Sequence, residues 1–222
     1  MGSMLRGESF SAEKRQMFLN VFAKIPQRIL WKWEGELPGK PPNVMIRKWM
    51  PQRDILAHPN VKLFMSHGGL LGTTEAVYEG VPILSIPMFG DQLSNIKTVV
   101  SRGAAEMMNY EDLNEDEIYV KITSMLTNPI YRQKAKKLSE AFRDRPMSAL
   151  ETAVFWTEYV IRHKGAPLLR FATVGTPWYQ YYLIDVLVVI FLFVTTIFLL
   201  LYCSIFKFLL RLLIRKPKEK QS

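Results

Sequence analysis

At 222 residues, 49% of them hydrophobic and with a net charge of +9, the chain has room for one domain with a real core and one extra segment, but not for two full domains. Roughly half of the positive excess sits at the very end, where Lys207, Arg211, Arg215, Lys216, Lys218 and Lys220 face only Glu219, so the rest is mildly basic. No interleaved stripe of aromatic and basic residues accompanies it, which argues against nucleic acid as a partner, and a single cysteine, Cys203, allows neither an internal disulfide nor a cysteine-built zinc cluster.

In chain order, Met1 to Gln16 carries Arg6, Glu8, Glu13, Lys14 and Arg15 with no apolar centre, so it is not a signal peptide. Ser11 to Phe22 predicts a helix with Ser11 as N-cap and Phe18, Val21 and Phe22 on its buried face, ended by Pro26. Arg28 to Trp33 alternates like a strand, Glu34 to Asn43 is a Gly/Pro-rich loop, and Val44 to Ile46 is the next strand. Val61 to Met65 predicts a short buried strand, Ser66-His67-Gly68-Gly69 a turn, Thr73 to Tyr78 a helix closed by Gly80, and Val81 to Met88 another strand. A helix over Ser94 to Val100 follows, with Asp91 as a candidate N-cap, then a strand over Ala104 to Met108. Acids from Glu111 to Glu117 crowd the next helix start, where Asn114 and Glu117 fit a capping box, so a metal site is not the favoured use of them. Asn128-Pro129 opens a further helix, and Ser148 to His163 a last one with Leu150, Val154, Val160 and Ile161 on one side. Strands alternating with helices predict an α/β fold, a Rossmann-like parallel sheet doubly wound by helices.

The stretch from Lys62 to Gln92 packs strand, glycine turn, helix and strand into one unit. A helix that starts in a glycine turn directs free N–H groups and the positive end of its dipole at whatever sits above the strand ends, which suits an anion. Around it stand hydroxyls at Ser66, Thr73 and Thr74, the imidazole of His67, and the carboxylate of Glu75, an acceptor suited to a ribose diol. The glycine spacing matches neither the dinucleotide pattern nor the P-loop, which disfavours NAD and ATP. In doubly wound sheets ligands bind outside the carboxyl ends of the strands, and Trp49, Gln52, His67 and Asp91 all follow predicted strands. Each has a plainer use: Trp49 as a core or hinge residue, His67 as a structural histidine or a base, Asp91 and Gln92 as caps of the next helix. His58 and His163 fit a loop and a helix end.

From Val186 to Phe206 no charged residue occurs, and this run predicts a membrane-crossing helix, with 184–206 as the span, 166–183 as a juxtamembrane linker and 207–222 as a basic tail behind a domain of 1–165. Trp178, Tyr179, Tyr181 and Tyr182 form an aromatic belt before it, and the basic tail places that end in the cytosol and the domain in the lumen. Such an orientation needs a leading signal, so the sequence leads us to expect a longer parent in which Met1 is internal. Lys218 and Lys220 look like a dilysine retrieval signal of the endoplasmic-reticulum membrane.

Together with Trp49-Met50-Pro51-Gln52 upstream and Asp91-Gln92 downstream, the Lys62–Gln92 stretch resembles the signature of the UDP-dependent glycosyltransferases, in the branch of membrane-bound animal UDP-glucuronosyl and UDP-glucosyl transferases. The resemblance spans nearly the whole chain and implies the C-terminal, donor-binding half of a GT-B enzyme, inverting and metal-independent. No cofactor is implied: the UDP-sugar is a co-substrate, and the acceptor is a small lipophilic molecule. It implies uracil on Trp49 and Gln52, ribose on Glu75, phosphates at Ser66, His67 and the N–H groups beyond Gly69, and sugar hydroxyls on Asp91 and Gln92, with Ser3, Gly69, Gly72 and Thr73 completing the donor set. The catalytic base belongs to the acceptor half, which this sequence does not contain, so alone the chain is expected to turn over little. The alternatives are a donor-binding subunit or a truncated non-catalytic isoform, each needing a partner chain. Many members carry Asn at the position of Leu71, a departure that removes one polar contact near the phosphates. Absence of a further basic residue beside Asp91 favours glucose over glucuronic acid.

Overall fold

The computed structural model describes Gly7 and residues 10–214, so Ser3, Lys216, Lys218 and Lys220 lie outside the described residues. Between Pro146 and Met147 the chain divides into two compact units.

In the first unit, helix α1 (Ala12–Lys24) starts where the Ser11 hydroxyl accepts the Lys14 N–H and buries Phe18, Leu19, Val21 and Phe22. Strand β1 (Ile29–Lys32) pairs in parallel with β2 (Val44–Arg47), Ile29 opposite Val44. The loop between them is tied down by Asn43, whose amide donates to the carbonyls of Phe22 and Gln27 at 2.9 Å. Strands β3 (Phe64–Ser66), β4 (Ile83–Ser85) and β5 (Ala105–Met107) form a second parallel ladder in that order. Parallel strands connected, from β2 onward, by helices agree with the predicted α/β class, but among the described residues they form ladders of two and three strands, not one hydrogen-bonded sheet.

A shared core joins the ladders. Successive strand residues point to opposite faces, and β4 uses both: Leu84 packs with Phe18 and Phe22 of α1, Val44 of β2, and Ile118, Ile122 and Met125 of α5 (Glu115–Thr127). Ile83 packs on the other side with Ala76 of α3 (Leu70–Glu79), Ile96 and Val99 of α4 (Gln92–Val100), and Ala135 of α6 (Pro129–Arg143). Caps set the helix ends as their chemistry dictates: Asn114 accepts the Glu117 N–H at α5, and Asn128 accepts the Ile130 N–H ahead of Pro129 at α6. Gly80 ends α3 in the left-handed region at φ 67, and a Cβ there would lie 3.3 Å from Lys136 Cα of α6.

Three expectations need correction. The strands are shorter than predicted because the flanking apolar residues, among them Val61, Val81, Ile86 and Met88, pack into the core from outside the ladders. Helix α2 (Gln52–Ala57) is absent from the sequence expectation: it is under two turns long and buries only Leu56, so it leaves no periodic signal. Helices α3 and α4 begin earlier than predicted, at Leu70 and Gln92, since Gly69 is already extended (φ −61, ψ 143) and Asp91 already helical (φ −76, ψ −10).

The second unit holds α7 (Ala149–Arg162), which opens with a complete capping box between Ser148 and Glu151, a 3-10 turn at Pro167–Leu169, α8 (Trp178–Tyr181) and the long α9 (Ile184–Ile214). No residue of α7 is buried. Within α9, Ile184–Arg211 holds an 18-residue stretch of mean hydropathy 2.9 and is the one helix among the described residues long and apolar enough to cross a membrane. It overruns the expected span because Lys207 and Arg211 interrupt the apolar run without interrupting the helix.

Truncating Leu84, fully buried between α1, α5 and β2, is expected to cost about 2–5 kcal/mol through lost burial and the cavity left behind. Urea midpoints of Leu84→Ala set against Val120→Ala, whose side chain is exposed, measure it, the latter shifting by no more than about 0.5 kcal/mol.

Candidate functional site

The β3–α3 crossover is built around a tight turn. Ser66 ends β3 and is buried, its Oγ accepting the Gly68 N–H at 3.1 Å. Gly68 has φ +81, and a Cβ there would stand 2.9 Å from both the Gln92 carbonyl oxygen and Ser85 Oγ. Glycine is required twice, for the dihedral and for the space. Gly69 caps α3 with no side chain over the first turn, so the N–H groups of Leu70, Leu71 and Gly72 have neither intrahelical partners nor a side-chain cap. A Cβ at Gly69 would also meet the His67 ring, 2.5 Å from Nε2. The result is a bare helix N-terminus with an imidazole beside it.

His67 is half-buried and its Nδ1 is buried without a hydrogen-bond partner. Burial holds its pKa below the ordinary 6.5, with the Asp91 carboxylate pulling weakly the other way. The ring is therefore neutral near pH 7 and becomes a better cation only when an anion arrives.

Two clusters flank the turn. On one side Gln52, the first residue of α2, donates from Nε2 to Glu75 Oε2 at 2.7 Å across the α2–α3 contact, and the same nitrogen lies 3.3 Å from where a Cβ at Gly72 would stand. Trp49, just after β2, is 74% exposed, which places an indole face in the open and rules out the core role. On the other side Asp91 heads α4. Its helical backbone leaves its side chain capping nothing, contrary to the N-cap expectation, because an N-cap needs extended dihedrals. The carboxylate instead accepts from Asn95 Nδ2 at 2.8 Å, and that nitrogen also donates to the Gly68 carbonyl at 3.2 Å. Gln92 is buried, its Oε1 accepting the N–H groups of Met88 and Phe89 at 2.8 and 3.2 Å, so it braces the β4–α4 loop.

Of the residues singled out by sequence, the structure thus gathers Gln52, Gly72 and Glu75 on one flank and Ser66, His67, Gly69, Asp91 and Gln92 on the other, with Trp49 exposed just before α2. Thr73 departs from expectation: with α3 starting at Leu70, its N–H is already bonded to the Gly69 carbonyl and its hydroxyl is buried without a partner, while Thr74 is exposed.

The family described as UDP-glucoronosyl and UDP-glucosyl transferase matches residues 1–220. The chain belongs to that family. UDP-glycosyltransferase UGT5 of Dactylopius coccus is 59% identical over 92% of this chain and 39% of its own length, and a UDP-glucuronosyltransferase of Pleuronectes platessa 41% identical over 93% and 44%. The chain thus spans about two fifths of the length of these relatives. Among solved structures, LpCGTa in complex with UDP superposes with a TM-score of 0.56 at 25% identity, covering 64% of this chain and 36% of LpCGTa. The fold is that of the GT-B glycosyltransferases.

Within this candidate site, sequence reasoning missed Asn95 and the Gln52–Glu75 bond. The available signal for the first was Asp-x-x-x-Asn, which brings the two side chains together one helical turn apart. For the second it was nothing local, since Gln52 and Glu75 meet only through the packing of α2 on α3.

The lowered His67 pKa fixes a pH dependence. Between its folded pKa and the ordinary 6.5 the unfolded chain binds more protons, so stability is present above 6.5 and is lost as pH falls through the folded value. Denaturation of the wild-type chain at pH 7.5 and 5.5 is expected to show this loss, and His67→Gln to show a smaller one.

Proposed function

We propose that the first unit binds the UDP-sugar donor of a glycosyl transfer to small lipophilic acceptors, and that α9 anchors it in the endoplasmic-reticulum membrane with the basic end cytosolic and the folded unit lumenal. The observation that carries the reading is the bare N-terminus of α3, flanked by a ring nitrogen on His67 and by carboxylates on either side, Glu75 and Asp91. A nucleotide sugar presents the matching sequence of groups: a flat base for the exposed Trp49, a diol for Glu75, a diphosphate for the helix start and His67, and hydroxyls for Asp91. The UDP bound by LpCGTa in its solved structure supports the same ligand here.

In the inverting mechanism this fits, an acceptor hydroxyl, deprotonated by a base outside this chain, attacks the anomeric carbon as the bond to the UDP oxygen breaks. Negative charge grows on the departing diphosphate, and fixed donors already aimed there stabilise it: the N–H groups of Leu70, Leu71 and Gly72, and the His67 ring. The approaching diphosphate raises the His67 pKa, so the ring gains positive charge as the leaving group gains negative charge. From Met88 to Asn95 no lysine or arginine stands near Asp91 in sequence, which supports a neutral hexose such as glucose over glucuronic acid. In this reading the relatives' remaining length supplies the acceptor site and the base.

Calorimetric titration of the chain in detergent with UDP is expected to show binding that His67→Ala and Glu75→Ala each weaken about 10–100-fold, the loss of a hydrogen bond to a charged group. UDP binding indifferent to both substitutions would end this assignment of the site. For the anchor, alkaline carbonate washing is expected to leave the chain in the membrane pellet and to release a chain deleted of 184–214.

A further inference from the structure

One amide joins the two halves of the donor site. Asn95 lies on α4 one turn after Asp91 and has a single side-chain nitrogen with two hydrogens. One goes to Asp91 Oδ2 at 2.8 Å and the other to the Gly68 carbonyl at 3.2 Å. Both acceptors need an external hold. Asp91 sits at the head of α4 in helical conformation, so its carboxylate makes no cap bond that would orient it. Gly68 is in the left-handed region, and its carbonyl belongs to the turn that sets His67 and the α3 N-terminus. Asn95 therefore couples the position of the carboxylate to the position of the turn. The same bonds neutralise part of the negative charge on the Gly68 carbonyl and the Asp91 carboxylate beside an anion site, where bare oxygen atoms would repel a diphosphate.

We propose that Asn95 is a positioning residue for the donor: it aims the Asp91 carboxylate at the sugar and keeps it in register with the phosphate-binding turn, without itself touching the ligand. The proposal rests on the donor-site reading above and adds to it a residue that acts through Asp91 and Gly68.

The test is the sugar increment, the ratio of the affinity for UDP-glucose to that for UDP, measured by calorimetry on the full 222-residue chain in detergent. Asn95→Ala is expected to lower the increment about tenfold, as for loss of a charge-assisted bond, and to weaken UDP itself by a smaller factor through Gly68. Asn95→Gln, which keeps the amide, is expected to recover most of the increment. Because Asn95 acts on the sugar through Asp91, Asn95→Ala added to Asp91→Ala is expected to change the increment no further, whereas an independent structural effect would multiply. An unchanged increment in Asn95→Ala, or multiplicative losses in the double variant, overturns the proposal while leaving the donor site intact. A wild-type chain that binds neither UDP nor UDP-glucose overturns the donor-site reading and this inference with it. Should Asn95→Ala unfold, Asn95→Leu, close in volume and with no donor, replaces it in the same cycle, with thermal denaturation as the check on folding.

Discussion

The close approach of Gly68 to Ser85 and to the Gln92 backbone is the constraint from which the rest of the site follows. The chain there runs through a left-handed residue two positions after β3, and Gly69 then starts α3 with nothing over its first turn. The close approach also presses the β3–α3 turn against the start of α4, so the His67 side of the site and the Asp91 side are parts of one packed object. A Cβ at residue 68 would stand 2.9 Å from the Gln92 carbonyl oxygen and Ser85 Oγ and so push the two sides apart. The consequence is electrostatic as much as steric: helix N-terminus, imidazole and carboxylate are held at fixed separations, and fixed dipoles cost no reorganisation when charge develops between them.

Burial and polarity are arranged to keep that object rigid. Ile83 and Leu84 of β4 face opposite cores with no exposure, so the strand beneath the turn is clamped from both sides. Several polar groups near it are used inward. Ser66 accepts from Gly68, and Gln92 accepts two N–H groups of the loop that carries Asp91. These side chains support the geometry of the site, and the exposed Trp49 together with the bare first turn of α3 presents it to solvent.

Much of this was legible in the sequence. The glycine turn, the helix after it and the α/β alternation follow from residue types at close spacing, as do the Ser11, Asn114 and Asn128 caps. What escaped is what depends on distance in space. Gln52 and Glu75 are 23 residues apart, and their bond exists only because a helix too short to leave a periodic trace lies across α3. The split of the strands into two ladders is equally invisible, because apolar runs mark burial and not hydrogen-bond partners. Asp91 shows the limit from the other side: its residue type favours a cap, and its dihedrals, set by packing of the loop, withhold one. The Asn95 amide then uses the carboxylate that capping left over.

Helix α9 contains neither proline nor glycine from Ile184 to Ile214, so it has no place to kink. At about 1.5 Å per residue a rod of this length exceeds a hydrocarbon layer of about 30 Å. As the membrane anchor proposed above, it would meet bilayers of different thickness by tilting or by sliding, not by bending. Lys207 and Arg211 reach for one headgroup layer while Trp178 and Tyr179 suit the other, so the spacing of these anchors is a ruler. Membrane thickness then becomes a variable that sets how close the aromatic end of this unit stands to the lipid surface.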